Sequence, residues 1–286
     1  MTAQIIDGKK IAQSLREKIA QEVASLAYKP GLAVVLVGED PASQIYVNSK
    51  EKACQEVGFH SQKIVLPADL SQTQLLAEIV KLNQDSAIDG ILVQMPLPKG
   101  FDEESVIAAI SPAKDVDCLH PVNLGKLFTL KKLPALDQLL APCTPKGILK
   151  LIDSTGVTMA NKTAVVVGRS QLVGKPVAIM LLAQDATVTM AHSHTQDLTK
   201  VCLQADIIVA AVGKAQLITA DMVKPGAVVI DVGINRLEQK IVGDVEFATV
   251  QEQAGFITPV PGGVGPMTIA CLLENTLLLA KNHRSA

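Results

Sequence analysis

Apolar positions along this chain alternate between helical spacing and short continuous runs, which predicts helices alternating with buried strands. Over residues 9–27, Ile11, Leu15, Ile19, Val23 and Leu26 share one helical face, and Pro30-Gly31 ends the run. Residues 32–37 are apolar throughout, as expected of a strand covered on both faces. Asp40-Pro41 reads as an N-cap with proline at the first helical position. That helix runs to about Val57, where Gly58 supplies the left-handed C-cap. Strands are expected over 62–66 and 90–94, with a helix over 72–84 between them. Residues 111–145 contain Pro112, Pro121, Pro134, Pro142 and Pro145 and read as an irregular junction between two domains. A helix over about 146–155 opens a second series: strand 163–168, helix 174–184, strands 187–191, 206–211 and 227–231, and a last helix from Met267 to about Lys281. The expected fold class is α/β, with two α/β domains.

Composition narrows the partners. With 48% hydrophobic residues, 286 residues can fill one large core or two modest ones. The 26 basic and 28 acidic residues nearly cancel, so neither nucleic acid nor an anionic membrane is expected as a partner. Aromatics are 2%, with no Trp, which leaves no platform for stacking bases. Cys54, Cys118, Cys143, Cys202 and Cys271 are scattered and form no C-x-x-C, a pattern that suits a reducing cytosol better than a disulfide scaffold or zinc site. No leader pattern and no long uncharged apolar run is visible, so a cytoplasmic protein is expected. His192-x-His194 lacks a third ligand at useful spacing, and no metal is expected.

Candidate chemistry lies in both halves. Strand 163–168 enters Gly168-Arg169-Ser170-Gln171-Leu172-Val173-Gly174 and then a helix, the arrangement of a dinucleotide-binding turn with Ser170 at the second glycine position. Free N–H groups at the helix start would meet a pyrophosphate. The next strand ends in Ala191-His192-Ser193-His194, without the carboxylate that binds a ribose 2′-OH. Arg169 and Ser193 suit a 2′-phosphate, which favours NADP over NAD, although Arg169 also reads as a solvated loop residue. In the first half, Ser43, Tyr46 and Lys50 share a face of helix 41–57. Gln94 ends an apolar strand, where ligands of open α/β sheets sit, or else it caps the strand in water. Asp117 of Lys114-Asp115-Val116-Asp117 either closes a solvated turn or accepts two N–H bonds from a guanidine-like edge such as that of a pterin.

Taken with Ala42–Lys50, Gln94–Pro98, Pro142–Gly147, Asp231–Arg236, Gly243–Val245 and Thr258–Thr268, these strings resemble the bacterial bifunctional methylenetetrahydrofolate dehydrogenase/cyclohydrolase family over nearly the whole chain. The resemblance implies a folate-binding catalytic domain (1–140 plus 267–286), on which the last helix packs back, and a Rossmann-like NADP-binding domain (141–266), with the folate cleft between them. It implies oxidation of 5,10-methylenetetrahydrofolate to the 5,10-methenyl compound with NADP, then hydrolysis to 10-formyltetrahydrofolate, in the one-carbon metabolism that feeds purine, methionine and histidine biosynthesis. At the matching positions the resemblance implies that Lys50 carries the hydrolytic step, Tyr46 stacks on the folate, Gln94 tunes the lysine and Asp117 anchors the pterin. It implies that Val93, Met95, Pro261, Gly262, Gly263, Val264 and Gly265 line the substrate and that Gly168, Arg169, Ser170, Ser193 and Ile234 line the NADP site, with a homodimer formed through the cofactor domains. Cys118 departs from the family's glycine beside Asp117. The rivals are a dehydrogenase without the hydrolytic step, an oxidoreductase of a small hydroxy or amino acid, and a non-catalytic NADP-binding regulator.

Overall fold

The computed structural model describes residues 2–238 and 240–284. In chain order the elements are β1 (Gln4–Ile5), α1 (Gly8–Ala24), β2 (Gly31–Val37), α2 (Pro41–Val57), β3 (His60–Leu66), α3 (Gln72–Gln84), β4 (Gly90–Val93), α4 (Glu103–Ala109), α5 (Pro121–Phe128) and α6 (Cys143–Asp153). The series continues with β5 (Thr163–Val167), α7 (Gly174–Leu182), β6 (Thr187–Ala191), α8 (Leu198–Cys202), β7 (Ile207–Ala210), β8 (Val228–Asp231), β9 (Asn235–Leu237), β10 (Lys240–Val242), α9 (Phe247–Val250), β11 (Phe256–Ile257) and α10 (Val264–Arg284). Among the described residues, no helix is long and apolar enough to cross a membrane. All five cysteines are buried thiols.

The chain divides into two compact units. One comprises Gln13–Lys126, Asp137–Cys143 and Ile269–Ala286, and is built on a parallel three-stranded sheet in the order β3-β2-β4. Its core sets Ala33, Val35, Val37, Ile91 and Val93 of the strands against Leu75, Ile79, Leu82 and Val106 of the helices. α3 opens with the reciprocal Ser71–Gln74 capping box, which satisfies two otherwise unpaired backbone donors. The end of α10 is fastened here: the buried Asp89 accepts the Gly31 N–H at 2.8 Å and faces His283 and Arg284, whose guanidinium also lies 4.4 Å from the Tyr28 ring centroid. The last helix thus packs on this unit, as expected.

The other unit comprises Met1–Ala12, Leu127–Leu136 and Thr144–Thr268 and carries a six-stranded sheet in the order β1-β11-β8-β7-β5-β6, every neighbouring pair parallel. Continuous apolar runs such as Ala164, Val165, Val166 and Val167 of β5 are buried along their length, as parallel strands require. The structure differs from the sequence reading in the assignment of segments to units, where Leu127–Leu136 as well as Met1–Ala12 join this one, and in the junction. Gln4–Ile5, expected with the first domain, pairs with β11 at the edge of this sheet; a two-residue strand has no period to read. The junction 111–145 is also more regular than expected, because Pro121 stands at the start of α5, where a proline is compatible with a helix, and does not break one.

Candidate active site

The first cluster is assembled by α2 and β4 of the three-stranded unit. Asp40 caps α2 by accepting the Ser43 N–H at 2.8 Å, an interaction that also holds its carboxyl below the usual carboxylate range. Gly58 ends α2 with φ +81°, its N–H bonded back to Cys54 and Gln55. Between the caps, Ser43, Val47, Lys50, Cys54 and Val57 form the buried stripe. Lys50 therefore lies on the inner face and is only 9% exposed. Tyr46, expected on the same face, sits beside that stripe and is 41% exposed.

The Lys50 amine donates to Gln94 Oε1 at 2.9 Å. Gln94 Nε2 in turn donates to the Met95 carbonyl at 2.7 Å, which fixes the amide with its oxygen toward the lysine. Val93 is buried, and Gln94 and Met95 are half-buried at the end of β4.

Asp117 reaches the same place through the backbone. Ile91 N–H donates to the Lys114 carbonyl at 2.7 Å and Ile91 bridges Asp115 in parallel, after which a turn closed by Cys118 N–H on the Asp115 carbonyl at 3.3 Å carries Asp117. The buried Asn275 of α10 holds this segment by donating to the Val116 and Ala141 carbonyls, each at 2.8 Å. The other charged residues of the Lys114–Asp117 string are structural: Lys114 donates to the Leu82 and Asp85 carbonyls at the end of α3, and Asp115 accepts from Leu119, His120 and Asn123. Asp117 is the member of the string whose titration is coupled to Lys50. Burial pushes its carboxyl up, the Lys50 charge pulls it back, Asp115 raises it further and the Cys143 thiol lowers it. Cys118 has φ +54°, the left-handed region that favours glycine. Its buried thiol donates to the Leu140 carbonyl at 3.6 Å.

The second cluster lies along the C-terminal edge of the six-stranded sheet, the position of ligands in open α/β sheets. Gly168 follows β5 with φ +126°, and a Cβ there would stand 2.1 Å from the Ala211 carbonyl oxygen, so only glycine permits this turn. Gly168 N–H donates to the Ala191 carbonyl, which sets the 168–170 turn beside the 192–195 turn. Arg169, Ser170, Ser193 and Ile234 are all exposed along this edge. One expectation is corrected. The N–H groups of Val173 and Gly174 bond Ser170 Oγ, Lys175 N–H bonds the Ser170 carbonyl, and residue 176 is proline. Ser170 thus caps α7 itself, and an anion would be met by the exposed Arg169 and the serine hydroxyls, not by free helix N–H groups. The glycine turn and these donors fit a dinucleotide phosphate. Pro261–Gly265 belongs to this second unit, where the Gly262 carbonyl accepts Lys9 N–H at 3.1 Å. Sequence reasoning gave no role to Asp231 and Asp244, which are buried beneath the same edge.

Comparison with known proteins places both halves of the chain in one family. The family model described as tetrahydrofolate dehydrogenase/cyclohydrolase, catalytic domain, matches residues 6–117, and the model for that family's NAD(P)-binding domain matches residues 142–284. The chain is 56% identical over 286 residues to "Bifunctional protein FolD" of Acidiphilium cryptum, covering 99% of this chain and 100% of the relative. The crystal structure of a bifunctional methylenetetrahydrofolate dehydrogenase/cyclohydrolase from Campylobacter jejuni superposes with a TM-score of 0.93 at 46% identity, over 98% of this chain and 99% of that one. The Trypanosoma brucei enzyme, solved with NADP cofactor and inhibitor, superposes with a TM-score of 0.94 at 38% identity over 100% of both chains. The chain belongs to the tetrahydrofolate dehydrogenase/cyclohydrolase family.

Proposed function

We infer that the protein oxidises 5,10-methylenetetrahydrofolate to 5,10-methenyltetrahydrofolate with NADP, and then hydrolyses that product to 10-formyltetrahydrofolate. The hydrogen bond between Lys50 and Gln94 carries the reading, because hydride transfer alone needs no such group and hydrolysis does. When bound, NADP supplies the hydride acceptor.

The chain's own residues divide the remaining work. In hydrolysis, a water oxygen bonds the methenyl carbon and loses both of its protons as the formyl C=O forms; one reaches the ring nitrogen as its bond to that carbon breaks, and the other is released with the cation's charge. Lys50 Nζ is the group placed to relay these protons. Gln94 Oε1 holds that amine by accepting one of its hydrogens. Asp117 anchors the pterin edge, Tyr46 stacks on the folate, and Val93, Met95 and Pro261–Gly265 complete the substrate contacts. Gly168, Arg169, Ser170, Ser193 and Ile234 hold NADP.

Arg169 sets the cofactor preference, since its guanidinium suits a 2′-phosphate and β6 ends without a carboxylate. Arg169→Ala is expected to raise KM for NADP about 10–100-fold, the range for a lost charge-assisted bond, and to leave KM for NAD nearly unchanged. Steady-state kinetics with both cofactors check this, and an equal rise for both would remove Arg169 from the phosphate site. The whole reading is tested by following NADPH and the methenyl compound at two wavelengths, starting from methylenetetrahydrofolate. NADPH is expected to form without lasting methenyl accumulation. Methenyl rising in step with NADPH would remove the hydrolytic half, and an absence of NADPH would overturn the reading. We further assign the protein to the cytoplasm, as a homodimer serving one-carbon metabolism for purine, methionine and histidine synthesis, without nucleic-acid or membrane partners.

A further inference from the structure

Two carboxylates beneath the cofactor edge are engaged by backbone N–H groups to an unusual degree. Asp231 ends β8 and is 3% exposed, and Asp244 is 0% exposed. Asp231 Oδ1 accepts Gly233 N–H at 3.0 Å and Asp244 N–H at 2.8 Å, while Oδ2 accepts Val245 N–H at 3.0 Å. Asp244 Oδ2 accepts Val212 N–H at 2.7 Å and Gly213 N–H at 3.0 Å. Its Oδ1 accepts Lys214 N–H at 2.8 Å and Asn235 Nδ2 at 2.9 Å. Thr258 adds a further tie by accepting the Asp231 N–H at 2.7 Å.

The fit leaves no slack. A Cβ on Gly243 would stand 1.7 Å from Asp231 Oδ2, and one on Gly233 would stand 2.3 Å from Asp244 Oδ1. Burial raises the Asp231 carboxyl to about 6 even against three N–H bonds, with Asp244 adding to the rise. Such a pair is held at an energetic cost that a merely structural crossing could avoid with apolar side chains. What the pair organises is the edge itself. Ile234, 57% exposed, is gripped on both sides, through Gly233 by Asp231 and through Asn235 by Asp244. The turn after β7, Val212–Lys214, hangs from Asp244 alone among side chains with described bonds to it.

We propose that Asp231 and Asp244 are positioning residues for the dehydrogenase step: a stacked carboxylate pair that sets the 212–214 and 233–235 turns, and with them Ile234, at the height the cofactor requires. Neither acid touches the cofactor; both act through backbone they hold. The inference rests on the reading of this edge as the NADP site. Its consequence is selective, because the Lys50 cluster lies in the other unit and shares none of these bonds.

The test compares Asp244→Asn and Asn235→Ala with the parent protein in both half-reactions, with NADPH binding measured by titration. An asparagine at 244 cannot accept with both termini, so two of the four bonds are lost. Asp244→Asn is expected to raise KM and Kd for the dinucleotide about tenfold or more, with cyclohydrolase turnover of supplied methenyl compound within about twofold of the parent. Asn235→Ala keeps both carboxylates and removes one donor, and a rise of about threefold is expected. That milder variant decides the matter where Asp244→Asn does not fold. Unchanged dinucleotide affinity in Asn235→Ala and in folded Asp244→Asn would overturn the proposal, as would an equal fall in both half-reactions. A parent protein that binds no NADPH would instead overturn the cofactor reading beneath it.

Discussion

Lys50→Met is expected to lower conversion of methenyl- to formyl-tetrahydrofolate by about 10²–10⁴-fold, the range contributed by a positioned proton-transfer group. NADP reduction is expected to survive, since a hydride leaves the methylene carbon and no proton does. Methionine is the informative replacement because the Lys50 stem lies on the inner face of α2 and only 9% of the residue is exposed. An unbranched apolar chain of similar length keeps that packing. What disappears is the amine and its bond to Gln94 Oε1. The stability cost combines one unpaired acceptor, about 1–3 kcal/mol, with the loss of the charge that offsets burial of Asp117, and the apolar packing that holds the fold is kept. Lys50→Arg is the control: a guanidinium keeps the positive charge but does not release its proton, so hydrolysis stays low if proton transfer is the role. The measurement is methenyl consumption on purified proteins. Turnover at the parent rate in Lys50→Met would remove the lysine from the chemistry and leave the Gln94 contact as packing.

That prediction began in residues whose placement could be read from order and spacing. Asp40-Pro41 and Gly58 bound α2 as local chemistry requires, and the stripe through Ser43, Val47, Lys50, Cys54 and Val57 turns the lysine inward. Gln94 at the end of β4 was legible for the same reason, because an apolar run that stops at a polar residue marks the strand's C-terminal edge. Asp117 was harder. Its position depends on the single bridge between Ile91 and Asp115 and on Asn275, 159 residues from Val116 in sequence, and neither leaves a periodic trace. Ser170 was misjudged as a plain substitute for a glycine, although a serine just before a helix is also a cap, and here it takes the helix's own donors. The Asp231–Asp244 pair escaped because its bonds span up to 32 residues between turns, where identity alone does not distinguish a buried acid from a solvated one. β9, β10 and β11 are each three residues or fewer, too short for any period.

Asp117→Asn is expected to weaken folate binding about 10–100-fold and, above the parent carboxyl's folded pKa, to stabilise the fold, two effects with one cause. The carboxyl lies in a site that pushes it above the usual carboxylate range, with burial the leading influence and the Lys50 charge only partly offsetting it. A group whose folded pKa is raised contributes stability that is fully present below its unfolded pKa and is lost as pH rises through the folded value. At pH values above its raised folded pKa the parent protein holds an ionised carboxylate at some expense, which a neutral amide of the same shape does not incur. The Tm of Asp117→Asn should exceed that of the parent above that pKa, and the gap should close as the pH falls and the parent's carboxyl takes up its proton. Binding runs the other way. Two N–H groups of a pterin edge pair with the ionised form, so parent affinity should be full above the free-protein pKa of Asp117 and fall as the pH drops through it. An asparagine offers one acceptor in place of two and has no proton to lose, so its weaker affinity should be flat over the same interval. Folate KM and thermal unfolding, each measured for both proteins across a pH range that spans the parent's folded pKa, give the comparison. A parent KM that does not change with pH, or an Asp117→Asn variant that binds folate as tightly as the parent, would place the pterin elsewhere and leave this buried acid as a neighbour of the lysine alone.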